Sequence, residues 1–233
     1  EWEKTMIVIQ NKTARSVLRV LIPLLLMPCA VMLGIFVFDE KAHAFISVLV
    51  AMLSVILFLC GFDRKKTGTR RLILISVMIA LSVVGRFFPL FKPVTAFAVI
   101  AGMYFGAEAG FLTGSFSALI SNFYFGQGPW TPFQMFAWGI LGFAAGLMGK
   151  PLKKSRVMLY GYAFLSGILY SLVMDIWTVL WELGGFSAEV YLAKMLTALP
   201  HTLLYAVSNV IFLLLFARPF GEKLERVKLK YGV

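Results

Sequence analysis

From Val17 to Ala217 the chain is a succession of apolar runs about as long as a bilayer is thick, separated by short polar breaks. A helix that crosses the hydrocarbon core needs roughly 20 apolar residues. Val17–Phe38 and Ala42–Phe62 meet that length and are joined by Asp39-Glu40-Lys41, which predicts a helical hairpin. After the basic stretch from Asp63 to Arg71, Leu72–Leu90, Pro132–Gly149, Val157–Leu180 and Tyr191–Ala217 repeat the pattern. Charged residues make up 14% of the chain, against roughly 25% in a soluble domain. The polar breaks are too short to enclose a core of their own, so no separate soluble lobe is expected. Val17–Phe38 is too long for a typical signal core and is read as a span. The opening Glu1 reads as the start of a fragment or of a processed form.

Residues 94–125 need a separate decision. A single helix of that length would run about 48 Å at 1.5 Å per residue, more than a bilayer core requires. Gly106-Ala107-Glu108-Ala109-Gly110 offers a turn, with Glu108 the only charge in the stretch. Two helices, 94–106 and 109–124, are therefore expected, giving eight helices in a two-plus-six arrangement. The charges agree. With the N-terminus in the cytoplasm, eighteen of the 22 basic residues fall on the inner side, and only Lys41, Arg86, Lys92 and Lys194 fall outside or near the outer ends. Inner loops are expected to carry such an excess. A single helix over 94–125 would put Lys150–Arg156 outside. Both termini are accordingly expected in the cytoplasm.

The net charge of +11 would suggest nucleic acid in a soluble protein, but here the charge sits between spans, where topology is set. Cys29 and Cys60 lie inside apolar runs and read as small packing residues. His43 and His201 have no metal-binding neighbour at helical spacing. Gly149-Lys150 runs into Pro151, so it is no phosphate-binding loop. No catalytic site, metal or cofactor is expected. Energy for uphill transport would have to come from a partner or an ion gradient.

Candidate binding chemistry gathers at the outer face. Asn122-Phe-Tyr-Phe-Gly-Gln-Gly-Pro-Trp-Thr-Pro-Phe-Gln134 carries two glycines and two prolines that rule out a continuous helix. Irregular backbone at this depth is tolerated where it lines a cavity, and aromatics with a few amides suit a small-molecule pocket. An interfacial aromatic belt around a plain turn is the alternative. Asp175 lies deep in its span between Tyr170 and Trp177, with Glu182 just beyond. A carboxylate in hydrocarbon costs about 2.5–3.5 kcal/mol on insertion scales, so Asp175 either belongs to a binding site or pairs structurally, Arg86 being the evident partner. Gln134, Asn209 and His201 are weaker candidates, because amides often only bridge helices. Gly102, Gly106, Gly110 and Gly114 recur every four positions, as do Gly142 and Gly146, while Ser76 and Ala80 make a small face on the first helix of the six. Such spacings serve close packing inside a bundle or docking of a membrane partner.

Gly85-Arg86-Phe87-Phe88-Pro89, Lys92-Pro93-Val94-Thr95-Ala96, Ala101-Gly102, Gly106-Ala107, the block Gly126-Gln-Gly-Pro-Trp-Thr-Pro-Phe-Gln-Met-Phe-Ala-Trp-Gly139 and Gly142-Phe-Ala-Ala-Gly146 give residues 70–225 a family resemblance. The unit resembles the S components, the substrate-binding membrane subunits of energy-coupling factor (ECF) transporters. The resemblance implies an all-α membrane bundle with a six-helix core, here over 70–233; the preceding hairpin and linker of 1–69 are a departure from that core. It implies a pocket near the outer face closed by loops 88–94, 122–132 and 181–191. It also implies a vitamin or metal substrate and docking on a transmembrane coupling subunit driven by two ATPases. Ser76-x-x-x-Ala80 stands where the family carries A-x-x-x-A for that docking. Among S components the G-Q-G-P-W-T-P block is most similar to the cobalamin group, although riboflavin or another ring-bearing vitamin would suit the same aromatics. Loop, buried charges and resemblance together single out Arg86, Asn122, Gln127, Trp130, Thr131, Gln134, Met135, Asp175 and Trp181 as substrate-binding. A stand-alone proton-coupled transporter using Asp175, and a structural membrane protein without a ligand, are the competing readings.

Overall fold

The computed structural model describes residues 11–36, 43–61, 69–89 and 92–231. The break Asp39-Glu40-Lys41 and most of the basic linker lie outside the described residues. Those described are almost entirely helical, with no strand among them.

The hairpin comprises α1 (Lys12–Phe36) and α2 (His43–Cys60). Asn11 caps α1 by accepting the Thr13 and Ala14 N–H groups, which an isolated helix start would leave unpaired. Pro23 cannot donate to the ladder, and α1 widens into a π turn over Ile22–Leu26. The second unit runs α3 (Thr69–Gly85), α4 (Val94–Phe105), α5 (Ala107–Phe125), α6 (Thr131–Leu147), the short α7 (Gly149–Lys154), α8 (Arg156–Leu183) and α9 (Ala188–Tyr231).

Four of these, α1, α2, α8 and α9, are long and apolar enough to cross a membrane. Their outward side chains, among them Leu24, Phe45, Leu165 and Leu196, are large and exposed. Hydrocarbon is the solvent that accepts such a surface. Helix α4 is only about 18 Å long, short of the roughly 30 Å core; protein surrounds it, and nearly every residue is buried. Helix α9 continues well beyond the expected end at Ala217, passing Pro200 and Pro219 without a break.

The expected turn between α4 and α5 is confined to one residue. Gly106 has φ +96°, a conformation that strains any residue with a Cβ. Arg71 donates to the Phe105 carbonyl at the end of α4, and Glu108 sits in the first turn of α5. Each charge thereby meets the helix end whose dipole it complements.

The glycine series is internal packing. A Cβ on Gly102 or Gly110 would lie 2.2 Å from the Gly142 carbonyl oxygen, and one on Gly114 would lie 2.3 Å from that of Trp138. Helices α4, α5 and α6 therefore touch backbone to backbone. Without a hydrophobic driving force between helices in lipid, this close approach is what holds them. Gly167 packs α8 against Ala206 of α9 in the same way.

The hairpin is fastened to the core along its length. At the end of the bundle near Gly106 Arg19 forms an ion pair with Glu108, which is 3% exposed, and Ile22, Met27, Leu57 and Cys60 pack with Phe111 and Phe143. Midway, the Ser54 and Ser115 hydroxyls lie 3.0 Å apart. At the opposite end Val31, Ile46 and Val50 join Phe133, Trp138 and Leu180.

Candidate functional site

At the end of the bundle that carries the Gly126–Pro132 loop, α3, α5, α6, α8 and α9 converge on a layer of amides and aromatic rings. Helix α3 stops where the chain doubles back, with Gly85 so close to Pro93 that a Cβ would come within 2.2 Å of its ring. That reversal turns Arg86 inward, where it is buried. Its guanidinium donates to the Ser121 hydroxyl and the Asn122 side-chain oxygen of α5. It lies 4.9 Å from the Phe125 ring centre and 5.2 Å from that of Trp138. Two neutral acceptors and two π faces hold this cation, each a favourable partner for a desolvated guanidinium.

Asn122 extends the network. Its amide nitrogen donates to the Thr131 hydroxyl and to the Gln134 side-chain oxygen, both at 2.9 Å. Thr131 in turn accepts the Gly128 N–H at 3.3 Å. Gln127 reaches back to the Leu119 carbonyl at 2.9 Å and folds the Gly/Pro loop over the end of α5. Gly126, at φ +102°, starts that loop. Gly128 leaves the space in which the Trp130 ring lies, since a Cβ would come within 2.4 Å of it.

Trp130 meets Trp177 edge to face at 6.2 Å, and Trp177 stacks on Trp181 at 6.3 Å. Deeper, Trp138 stacks on Tyr170 at 4.9 Å and 8°, and its indole N–H donates to the Tyr205 hydroxyl at 2.6 Å. The Tyr205 and Thr95 hydroxyls are 3.0 Å apart. Arg86 Nε and Trp177 Nε1 are buried without a hydrogen-bond partner among the described residues. In the loop before α4, burial and then the Arg86 charge push the Lys92 ammonium below its usual pKa.

Of the expected site residues, Arg86, Asn122, Thr131 and Gln134 come together in the amide network, with Trp130 and Trp181 in the tryptophan row, while Gln127 bonds the Leu119 backbone instead. Met135 is fully enclosed in the outer core beside Trp138. Asp175 stands apart, and the expected Arg86–Asp175 pair does not form. At 100° per residue, Asp175 lies nearly opposite Trp177 on α8. It therefore faces α9, where His201 and Lys194 are its neighbours and Lys194 pairs with Glu182 at 2.7 Å. Trp138, Tyr170, Tyr205, Thr95 and Trp177 were not among the expected site residues. The spacing of 130, 134 and 138 on α6 and of 170, 177 and 181 on α8 carries part of that signal, because each set shares one helix face.

Trp181, Pro129 and Pro132 also border a narrow outer cleft with room for about one water molecule. Ser76 and Ala80 lie exposed on α3, well away from the aromatic layer and beside Ile73, Val77 and Val84.

Comparison with curated proteins and with solved structures yields no match. The model of the family "ECF transporter, substrate-specific component" matches residues 70–229, from the start of α3 to near the end of α9 and without the hairpin. Such subunits work with a transmembrane coupling subunit and ATPases and bind small molecules; they are not themselves enzymes. Four apolar spans and a match over more than half the chain lead to one conclusion: this multi-pass membrane protein belongs to the substrate-specific components of ECF transporters.

Proposed function

We propose that this chain is the high-affinity binding subunit of a vitamin uptake system, with cobalamin the first candidate and riboflavin the second. The observation that carries this reading is the tryptophan row over the Arg86–Asn122–Gln134 network beneath a Gly/Pro loop. Ring faces suit a conjugated or ring-bearing substrate, and the unpartnered Arg86 Nε and Trp177 Nε1 are donors available to its polar groups. Both termini are cytoplasmic in this reading, which the inner clustering of basic residues supports. The exposed Ser76–Ala80 face of α3 is where the coupling subunit docks, its small side chains allowing close helix approach. Hydrolysis by two ATPases then supplies the energy.

A thermal-shift screen with cyanocobalamin and riboflavin tests the substrate, since a specific ligand stabilises the state it binds. Vitamin counts should be retained through washing, and the coupling subunit and ATPases should co-purify. Uptake that persists after deletion of those partners would sink the proposal. Within it, Trp130→Ala should weaken vitamin binding by about fivefold to tenfold, the value of one ring–ring contact of about 1 kcal/mol, with expression unchanged; equal affinity would assign Trp130 to the interfacial belt. Ala80→Leu should abolish co-purification of the coupling subunit while leaving vitamin binding intact. Loss of both together would mean that this face packs within the bundle.

A further inference from the structure

We infer that the N-terminal hairpin supplies one wall of the substrate site, so that the recognition unit is the hairpin together with the six-helix core. The inference rests on the binding role proposed above and concerns residues outside the family match. The outer cleft is bounded on one side by Trp181, Pro129 and Pro132 and on the other by the hairpin residues Val31, Ile35 and Ile46.

Two observations make the hairpin side a built surface. Helices α1 and α2 touch at that level, where a Cβ on Gly34 would lie 3.1 Å from Ile46. Val31 and Ile46 are also buried in the same outer core that holds Trp138 and Tyr205. The wall is therefore rigid with respect to the aromatic layer. The cleft is continuous with that layer through Trp181, which both lines it and stacks on Trp177. Its walls are aliphatic and aromatic, with His43 at the rim, so the occupant is the apolar ring edge of the substrate. Its charged or amide groups are left to Arg86 and Gln134.

As it stands the cleft is too narrow for a vitamin, so admission requires one side to move. The hairpin is fixed by Arg19–Glu108, by the Ser54–Ser115 contact and by packing. On the opposite side Pro132 and Trp181 stand on α6 and α8, while Pro129 belongs to the loop that starts at Gly126, whose φ is positive, and includes a second glycine, Gly128. The loop yields and the hairpin stays.

The test uses the full chain in detergent carrying Cys29→Ala and Cys60→Ala, with a single cysteine returned as Ile35→Cys or as the exposed control Val157→Cys at the start of α8. Both are labelled with a charged, membrane-impermeant methanethiosulfonate, with and without cyanocobalamin or riboflavin. The retained vitamin should slow labelling at Ile35→Cys by about tenfold and leave Val157→Cys unchanged. Ile35→Trp should likewise lower vitamin retention by about tenfold or more, with Leu33→Trp close to wild type. A chain that retains the vitamin with no protection at Ile35→Cys overturns this inference and leaves the binding role intact. A wild-type chain that retains neither vitamin overturns the underlying reading, and this inference with it.

Discussion

Gly142→Ala is expected to cause the largest loss of stability of any single-methyl addition to this protein. Its new Cβ would lie 2.2 Å from the Gly110 carbonyl oxygen, and Gly102 and Gly110 already press against the Gly142 carbonyl from the other side. All the obstructing atoms are backbone, so no flexible side chain can swing away, and α4, α5 and α6 must separate. Overpacking of this kind costs about 1–3 kcal/mol and sometimes more. For a chain of this length that is a fall in Tm of roughly 2–12 °C, at about 2–4 °C per kcal/mol. Gly161→Ala is the matched control. Nothing lies within 4 Å of a Cβ there, and alanine favours a helix over glycine by about 1 kcal/mol. Thermal unfolding in detergent, followed by the loss of the monodisperse elution peak, compares the two. A Gly142→Ala protein that melts with wild type would show that the three helices do not meet at this point.

The second large effect concerns the ion pair between hairpin and core. Arg19→Met leaves Glu108 as a buried carboxylate with Arg71 as its remaining cationic neighbour. Removing one partner of a buried pair typically costs about 3–5 kcal/mol. Arg19 is 45% exposed and Arg71 remains, so about 1–3 kcal/mol is expected here. Glu108→Gln alone should cost less, because Arg19 can turn toward water or lipid headgroups. The double variant Arg19→Met/Glu108→Gln should recover most of the loss, since the uncompensated charge is gone. Melting temperatures of wild type, both singles and the double form a cycle that isolates the coupling. Strictly additive losses would mean that the two side chains do not act as a pair.

Much of the architecture was legible in the residues. Apolar run lengths announced α1, α2, α8 and α9, because a bilayer imposes a minimum length that no local preference can override. The distribution of lysines and arginines called for a reversal between α4 and α5, and glycine is the residue that can make it at a single position. Motif blocks such as Gly126–Gly139 carried the family resemblance. Asn122, Gln127, Trp130, Thr131 and Gln134 were also visible, because they lie in one short stretch that Gly126, Gly128 and Pro129 interrupt, whereas Trp138, Tyr170, Trp177 and Tyr205 lie on separate helices and were not.

What stayed illegible depends on which helix faces meet. The glycine series fits internal packing and partner docking equally well until α6 is seen lying across α4 and α5. Arg86 and Asp175 looked like partners because each needed one, yet a rotation of nearly half a turn on α8 puts Asp175 against α9 instead. Glu108 was noticed as a lone charge; that its counter-ion comes from Arg19, 89 positions earlier, follows only from the docking of the hairpin. Local chemistry and the bilayer thus determined the helices, their order and the outer loop. Tertiary packing decided which charges pair, which aromatics stack, and that the hairpin packs against Trp138 and Leu180, because those contacts join residues far apart in the chain through interfaces that no single segment encodes.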